Sequence, residues 1–300
     1  MNQITLRQLR YLVAVADAGS LAAAGDELFV SQTAVSLSLT QLESELGAPL
    51  AIRRKSKGSV LTAAGVAVAA RARRILADTD ELAGVVGELQ GELTGSLRMG
   101  CYGAYSPRIM PAVIEHFAQE HPRVTVTVTE GSSTELQASL LEGKLDACLI
   151  LQGHLQADIA SSLIVRVIPK VLLSANHPLA AEARVSFEDL DGLPAVLSSV
   201  KPSGTLVESM IRSMGFQPDV RWRSSNTETI RSMVGRGLAY SVLLSMWPGP
   251  TTQEGFPLVL KDITETVPEN AFVMAYPEGT QPSRKLEELL TFCRSAFDPF

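Results

Sequence analysis

S-Q-T-A-V-S-L-S-L-T-Q-L-E-S-E, residues Ser31 to Glu45, decides how this chain is read. At helical spacing Val35, Leu39, Leu42 and Leu46 fall on one apolar stripe, while Gln32, Thr33, Ser36, Leu37 and Thr40 gather on the opposite face. That outer face is small and mostly polar, as a surface that approaches another molecule closely must be. Ser31 suits an N-cap and Gly47 suits the left-handed residue that ends a helix, so the pattern predicts a helix of about four turns, which fits a major groove. Just before it, G-S-L-A-A-A-G-D-E-L predicts a helix capped by Ser20, with Leu21, Ala24 and Leu28 facing inward and Phe29-Val30 making a short turn. Two helices so joined form a helix-turn-helix.

Working outward, residues 4 to 18 predict a first helix whose Leu6, Leu9, Leu12 or Val13, and Ala16 pack over that pair, leaving Arg7 and Arg10 outside. Pro49 to Leu61 is short, β-prone and turn-rich. From Thr62 a long proline-free helix is predicted to about Leu89, and Val68, Ala72, Ile75, Thr79, Leu82, Val86 and Leu89 recur along it at spacings of four and three. That is a heptad seam, which needs a partner helix; the alternative is a single helix docked on its own body.

The string L-R-Q-L-R-Y-L-V-A-V-A-D-A-G-S-L-A-A-A-G-D-E-L-F-V-S-Q-T-A-V-S, then L-E-S-E-L-G, then L-T-A-A-G, closely resembles the N-terminal domain of LysR-type transcriptional regulators. R-R-K-S-K-G resembles the tip of that family's wing. The resemblance implies a winged helix-turn-helix in which Ser31, Gln32, Thr33, Ser36, Leu37 and Thr40 face DNA and Arg53, Arg54, Lys55 and Lys57 meet phosphate. It also implies a linker helix that dimerises. Where relatives often carry proline this chain has Thr33, and where many have arginine it has Leu37, which shifts affinity towards the wing cations.

Beyond a hinge at Gln90 to Ser96 the pattern becomes α/β. L-R-M-G-C-Y predicts a buried strand, Pro107 to Glu120 a helix, V-T-V-T-V-T a strand with one covered face, Glu135 to Glu142 a helix, and L-D-A-C-L-I-L a third strand, an order that implies a parallel sheet. The run from G-S-L-R-M-G through I-M-P, F-A-Q-E-H-P-R-V and E-G-S-S-T-E-L-Q to L-L-E-G-K-L-D resembles the same family's effector domain, which has a periplasmic-binding-protein-like fold. Near Arg166 the chain is expected to cross into a second lobe of alternating strands and helices, and near Pro268 to return for A-F-V-M-A-Y and a last helix, Pro282 to Phe297. The expected organisation is therefore α/β: head 1–61, linker helix 62–90, first effector lobe 91–165 with 268–300, second lobe 166–267.

At 300 residues and 46% hydrophobic content the chain can bury a large core. Its net charge of −6 is unevenly spread: residues 1 to 74 hold nine Lys/Arg against five acids, a balance of +4, which leaves −10 for the remainder. A basic head on an acidic body is expected when one domain alone meets phosphate. No run of about eighteen apolar residues is present and the N-terminus is amphipathic where a secretory signal would be apolar, so no membrane contact and a cytoplasmic location are expected. Cys101, Cys148 and Cys293 lie in apolar surroundings and predict buried reduced thiols.

No nucleophile elbow, phosphate loop, paired metal ligands or cysteine-histidine constellation is recognisable, so no catalytic residue, cofactor or metal is assigned. His116 and His121 are off a single helical face, His177 lies in an N-H-P-L turn, and Gly235 and Gly237 follow a helix instead of opening one. A binding cleft is better supported, because ligands of open α/β sheets gather at strand C-termini and helix N-termini. Four junctions there carry small or hydroxylated residues: Gly103 to Ser106, Gly131 to Ser133, Lys201 to Gly204, and Ser225 to Thr227. The candidate effector contacts are Tyr102, Ala104, Tyr105, Ser106, Ser132, Ser133, Lys201, Pro202, Ser203, Gly204, Asn226 and Thr227. Ala104 stands where relatives often have Ser or Thr. A small organic anion is the expected ligand, held by hydroxyls, backbone N–H groups and the nearby Lys201. The reading is a ligand-responsive regulator with double-stranded operator DNA, a small-molecule effector and copies of itself, as homodimer and homotetramer, for partners; RNA polymerase is a further candidate. The rival readings are a solute-binding protein, or a Ser or Cys hydrolase, with a helical N-terminal domain.

Overall fold

Thr5 opens the first helix with a reciprocal cap: its hydroxyl accepts from Gln8 N at 3.3 Å, while the Gln8 side chain accepts from Thr5 N at 2.8 Å. The computed structural model describes residues 4–54, 58–88, 92–244 and 249–297. It divides into two compact units, one running to Arg98 and taking in Ala118–Thr127 and Ala138–Asp146, the other made of Met99–Phe117, Val128–Gln137 and the chain from Ala147 onward.

In the first unit, α1 (Leu6–Ala18) ends at the left-handed Gly19. α2 (Leu21–Glu27) is capped by Ser20, and α3 (Gln32–Leu46) by Ser31, whose hydroxyl accepts from Ala34 N at 3.2 Å. The turn between them needs a glycine at 25, because a Cβ there would lie 2.8 Å from the carbonyl oxygen of Val30. Leu12, Val15, Ala24, Val35, Leu39 and Leu42 bury the three helices against one another. β1 (Ala51–Arg54) and β2 (Gly58–Leu61) then pair antiparallel as a wing. Glu43 fixes the wing to the end of α3 by accepting from Leu50 N at 2.7 Å and Ala51 N at 3.1 Å.

Thr62 caps α4 (Ala63–Glu88) by accepting from Gly65 N at 2.9 Å. The predicted seam splits along this helix. Val68 and Ala72 pack into the head's own core, whereas Ile75 and Leu82 stay 46% and 66% exposed. The expectation of one continuous partner-seeking seam is thus corrected, since its first turns are covered by α1. Leu89, Gln90 and Gly91 lie outside the described residues. Arg73, buried on α4, reaches Asp17 Oδ1 at 2.5 Å and donates to the carbonyl oxygen of Glu142 at 2.7 Å, the pairing a buried guanidinium requires.

The effector region begins with β3 (Gly95–Tyr102), α5 (Ser106–Glu120), β4 (Val124–Gly131), α6 (Ser133–Leu141), β5 (Ala147–Leu151) and β6 (Ile159–Val167). The second lobe holds β7 (Pro169–Ser174), β8 (Arg184–Val185), β9 (Pro194–Ser198), α7 (Ser203–Ser213), β10 (Asp219–Ser224), α8 (Thr227–Gly235), β11 (Ser241–Leu244) and β12 (Leu258–Ile263). The chain returns through β13 (Asn270–Pro277) and α9 (Arg284–Ala296).

The first lobe's sheet runs β4-β3-β5-β13-β6, with β3 and β5 parallel and β13 antiparallel to both its neighbours. The sheet is therefore mixed where the sequence predicted a parallel one. β6, absent from the sequence reading, is an edge strand with Ser161 and Ser162 in its middle, which hides the strand period. The second lobe has a four-stranded sheet, β11-β7-β12-β8, and the parallel pair β10-β9, joined by a bridge between Ala195 and Tyr240. Cys101, Cys148 and Cys293 are buried and unpaired; burial raises all three thiols, Cys148 and Cys293 to about 12. No described helix is long and apolar enough to cross a membrane.

Candidate functional site

On the head, Gln32, Thr33, Leu37 and Thr40 are exposed and Ser36 is half-buried, so the outer face of α3 is presented as predicted. The Thr40 hydroxyl donates back to the carbonyl oxygen of Ser36 at 3.0 Å. Arg53 and Arg54 end the first wing strand, opposite Ser59 and Gly58. Lys55 and Lys57 lie outside the described residues.

Within the second unit, a cavity of about 680 Å³ opens between the two lobes. Its wall draws on the C-terminal end of β3 and the loop after it (Tyr102, Gly103, Ala104, Tyr105), the start of α6 (Gly131, Ser132), the start of α7 (Ser203, Gly204) and the start of α8 (Ser225, Asn226, Thr227). All four junctions singled out in the sequence meet there. Four expected contacts are not part of the wall. Ser106 is buried with its hydroxyl against Met110 Sδ, Ser133 is wholly buried, and Lys201 and Pro202 stand outside, with Lys201 exposed. Gly204 has a steric reason to be glycine: a Cβ there would collide with the carbonyl oxygen of Ser198, so only glycine lets α7 start against β9.

Behind the wall lies a group the sequence reading missed. His154, 4% exposed, has Nδ1 2.7 Å from Ser133 Oγ and Nε2 3.0 Å from Ser203 Oγ, while the Tyr102 hydroxyl donates to Ser203 Oγ at 2.9 Å. Burial lowers the imidazole pKa to about 4, so the ring is neutral at pH 7 and offers one donor and one acceptor nitrogen. With Tyr102 donating to Ser203, a single direction of donation runs on from Ser203 into His154 Nε2 and from Nδ1–H into Ser133. Gln137 braces this chain, donating to the carbonyl oxygens of Ser133 and His154, both at 2.9 Å. The available signal was a histidine closely following A-C-L-I-L, a strand buried along its whole length, where a polar ring must find partners.

Residues 6–66 match the family model described as bacterial regulatory helix-turn-helix protein, lysR family, and residues 90–298 match the LysR substrate binding domain. The chain belongs to the LysR family. The HTH-type transcriptional activator CmpR of Synechocystis sp. is 29% identical over 271 residues, 86% of this chain and 88% of that protein. HinK, a LysR family transcriptional regulator from Pseudomonas aeruginosa, shares 28% identity with a TM-score of 0.65, covering 99% of each chain. A full-length OxyR variant from Pseudomonas aeruginosa, with aspartate in place of one cysteine, gives a TM-score of 0.75 at 25% identity, covering 98% of this chain and 96% of that one. As a LysR regulator the protein is a ligand-responsive transcription factor that binds DNA and a small-molecule effector, not an enzyme, and neither rival reading finds support among its relatives.

The cavity between the lobes of this LysR regulator is acidic. Glu130, Glu135 and Glu228 line it, and no Lys or Arg does among the described residues. Glu135 folds back on the start of α6, accepting from Ser132 Oγ at 2.7 Å and Ser132 N at 2.9 Å, and these bonds hold its carboxyl below the usual carboxylate range. Glu228 meets Arg231 at 2.6 Å and accepts from Gln253 N at 2.6 Å. Elsewhere in the unit, His177 caps the turn it sits in by accepting from Leu179 N at 3.2 Å, and His116 is stacked on Phe292 with Nε2 2.8 Å from Glu288.

Proposed function

We propose that Gln32, Thr33 and Ser36 read base edges in the major groove, with Ser31, Leu37 and Thr40 completing the contact face and Arg53, Arg54, Lys55 and Lys57 holding phosphates. The observation that carries this is the exposure of Gln32 and Thr33 at the start of α3, where a recognition helix makes its base contacts. The working parts are a head (1–61), a linker helix (62–90), a first effector lobe (91–165 with 268–300) and a second (166–267). The exposure of Ile75 and Leu82 on α4 supports a homodimer, and two dimers make the DNA-bound tetramer. The protein works in the cytoplasm, with RNA polymerase as a further partner.

The effector contacts Tyr102, Ala104, Tyr105, Ser132, Ser203, Gly204, Asn226 and Thr227, and Ser133 supports them from behind through His154. Ligand closes the lobes, the lobes alter how dimers pack, and the spacing or bend of bound DNA follows. Sequencing the DNA retained by purified full-length protein tests the head. An enriched two-fold-related motif near the neighbouring genes is expected, and retention of random sequence would refute the reading face.

A further inference from the structure

We infer that the effector is a cation, an organic amine or amidine with an apolar body. The inference rests on the cleft being the effector site and deepens that reading by naming the ligand's charge. It reverses the sign expected from the sequence.

Three carboxylates line the cavity and no lysine or arginine does among the described residues. An anion would be repelled by these carboxylates, whereas a cation would be attracted, most of all by a carboxylate whose charge is not already paired. Side chains already take up part of the hydrogen-bonding capacity of the helix starts that favoured an anion. The Glu135 carboxylate takes Ser132 N and Oγ at α6, and Asn226 Oδ1 accepts from Glu228 N at 2.8 Å and Thr229 N at 3.1 Å at α8. At α7, the Ser203 hydroxyl is bonded to Tyr102 and to a histidine that is neutral at pH 7, so that end adds no positive side chain.

Glu130 differs from the other two acids. It is exposed at the wall and has no hydrogen-bond or ion-pair partner among the described residues, so its charge is available to a ligand. Leu151, Leu197, Val207 and Ile230 add apolar surface to the wall, and Tyr102 and Tyr105 add aromatic rings that suit an ammonium or amidinium group.

Calorimetry on the full-length protein with benzylamine, benzyl alcohol and benzoate separates charge from shape. Benzylamine is expected to bind about tenfold or more tighter than benzoate. Glu130→Gln should weaken benzylamine about tenfold while leaving benzyl alcohol unchanged, and Glu130→Lys should favour benzoate. Benzoate or benzyl alcohol binding as tightly as benzylamine, no benzylamine binding at millimolar concentration, or indifference to Glu130→Gln would each overturn the cationic class. Ser225→Trp, at an exposed part of the wall, tests the site itself. If benzoate binds and Ser225→Trp abolishes it, the cleft stands and the cation falls; if benzylamine binds regardless of Ser225→Trp, both fall.

Discussion

His154 Nε2 lies 3.0 Å from Ser203 Oγ, so a ring that follows β5 in the first lobe is hydrogen-bonded to the first residue of α7 in the second. Its pKa falls from an ordinary 6.5 to about 4 because burial removes the water that would stabilise the imidazolium. The unfolded chain therefore takes up a proton near pH 6.5 that the folded chain refuses until about pH 4. The stabilising contribution is complete above pH 6.5 and is lost as pH falls through this window, at up to about 1.4 kcal/mol per pH unit. Urea unfolding from pH 7 to 4 should show this slope in the native protein and a shallower one in His154→Gln. Identical slopes would mean that the ring is not held neutral.

Gly204→Ala is expected to destabilise the effector region by roughly 1–3 kcal/mol, because the new Cβ meets backbone rather than a side chain that can swing away. Ligand affinity should drop with it, since α7 would have to retreat from β9. A thermal melt unchanged from the native one would show that α7 starts elsewhere.

Leu82→Asp and Ala72→Asp should separate two roles on one helix. Leu82 is 66% exposed, so its replacement should dissociate dimers and leave each head folded. Ala72 is 1% exposed in the head's core, and an aspartate there should unfold the head, because a buried charge lacks a partner. Light scattering with circular dichroism distinguishes the outcomes; a monomeric native protein at micromolar concentration would remove the dimer seam.

Gln32→Ala should cost roughly 1 to 3 kcal/mol at one base position, whereas Arg54→Ala should weaken all sequences alike and reduce the salt dependence of binding. Uniform loss of affinity in both variants, with sequence preference intact, would overturn the division between reading and holding residues.

The head was legible because its signals are local: Ser20 and Ser31 each cap a helix through the N–H three residues on, and Val35, Leu39 and Leu42 keep the helical period. The cleft was legible in part, since small hydroxylated residues mark helix starts wherever the fold later brings them. The acidity of its wall was not, because Glu130 and Glu228 are distant in sequence and only folding sets them around one cavity. His154 escaped for the same reason: its two partners lie 21 and 49 positions away. β6 and β12 went unseen because polar or charged residues interrupt their apolar runs.

In the ladder between β6 and β13, Val167 stands directly opposite Asn270. The outgoing and returning chains therefore leave the first lobe side by side, and everything from Ile168 to Glu269 is covalently joined to it through that single doorway. Two adjacent threads permit swinging and twisting but resist sliding, so opening and shutting would be a rotation about one jamb. The same geometry makes the second lobe a detachable insert: a short turn splicing Val167 to Asn270 would convert β6 and β13 into an ordinary hairpin.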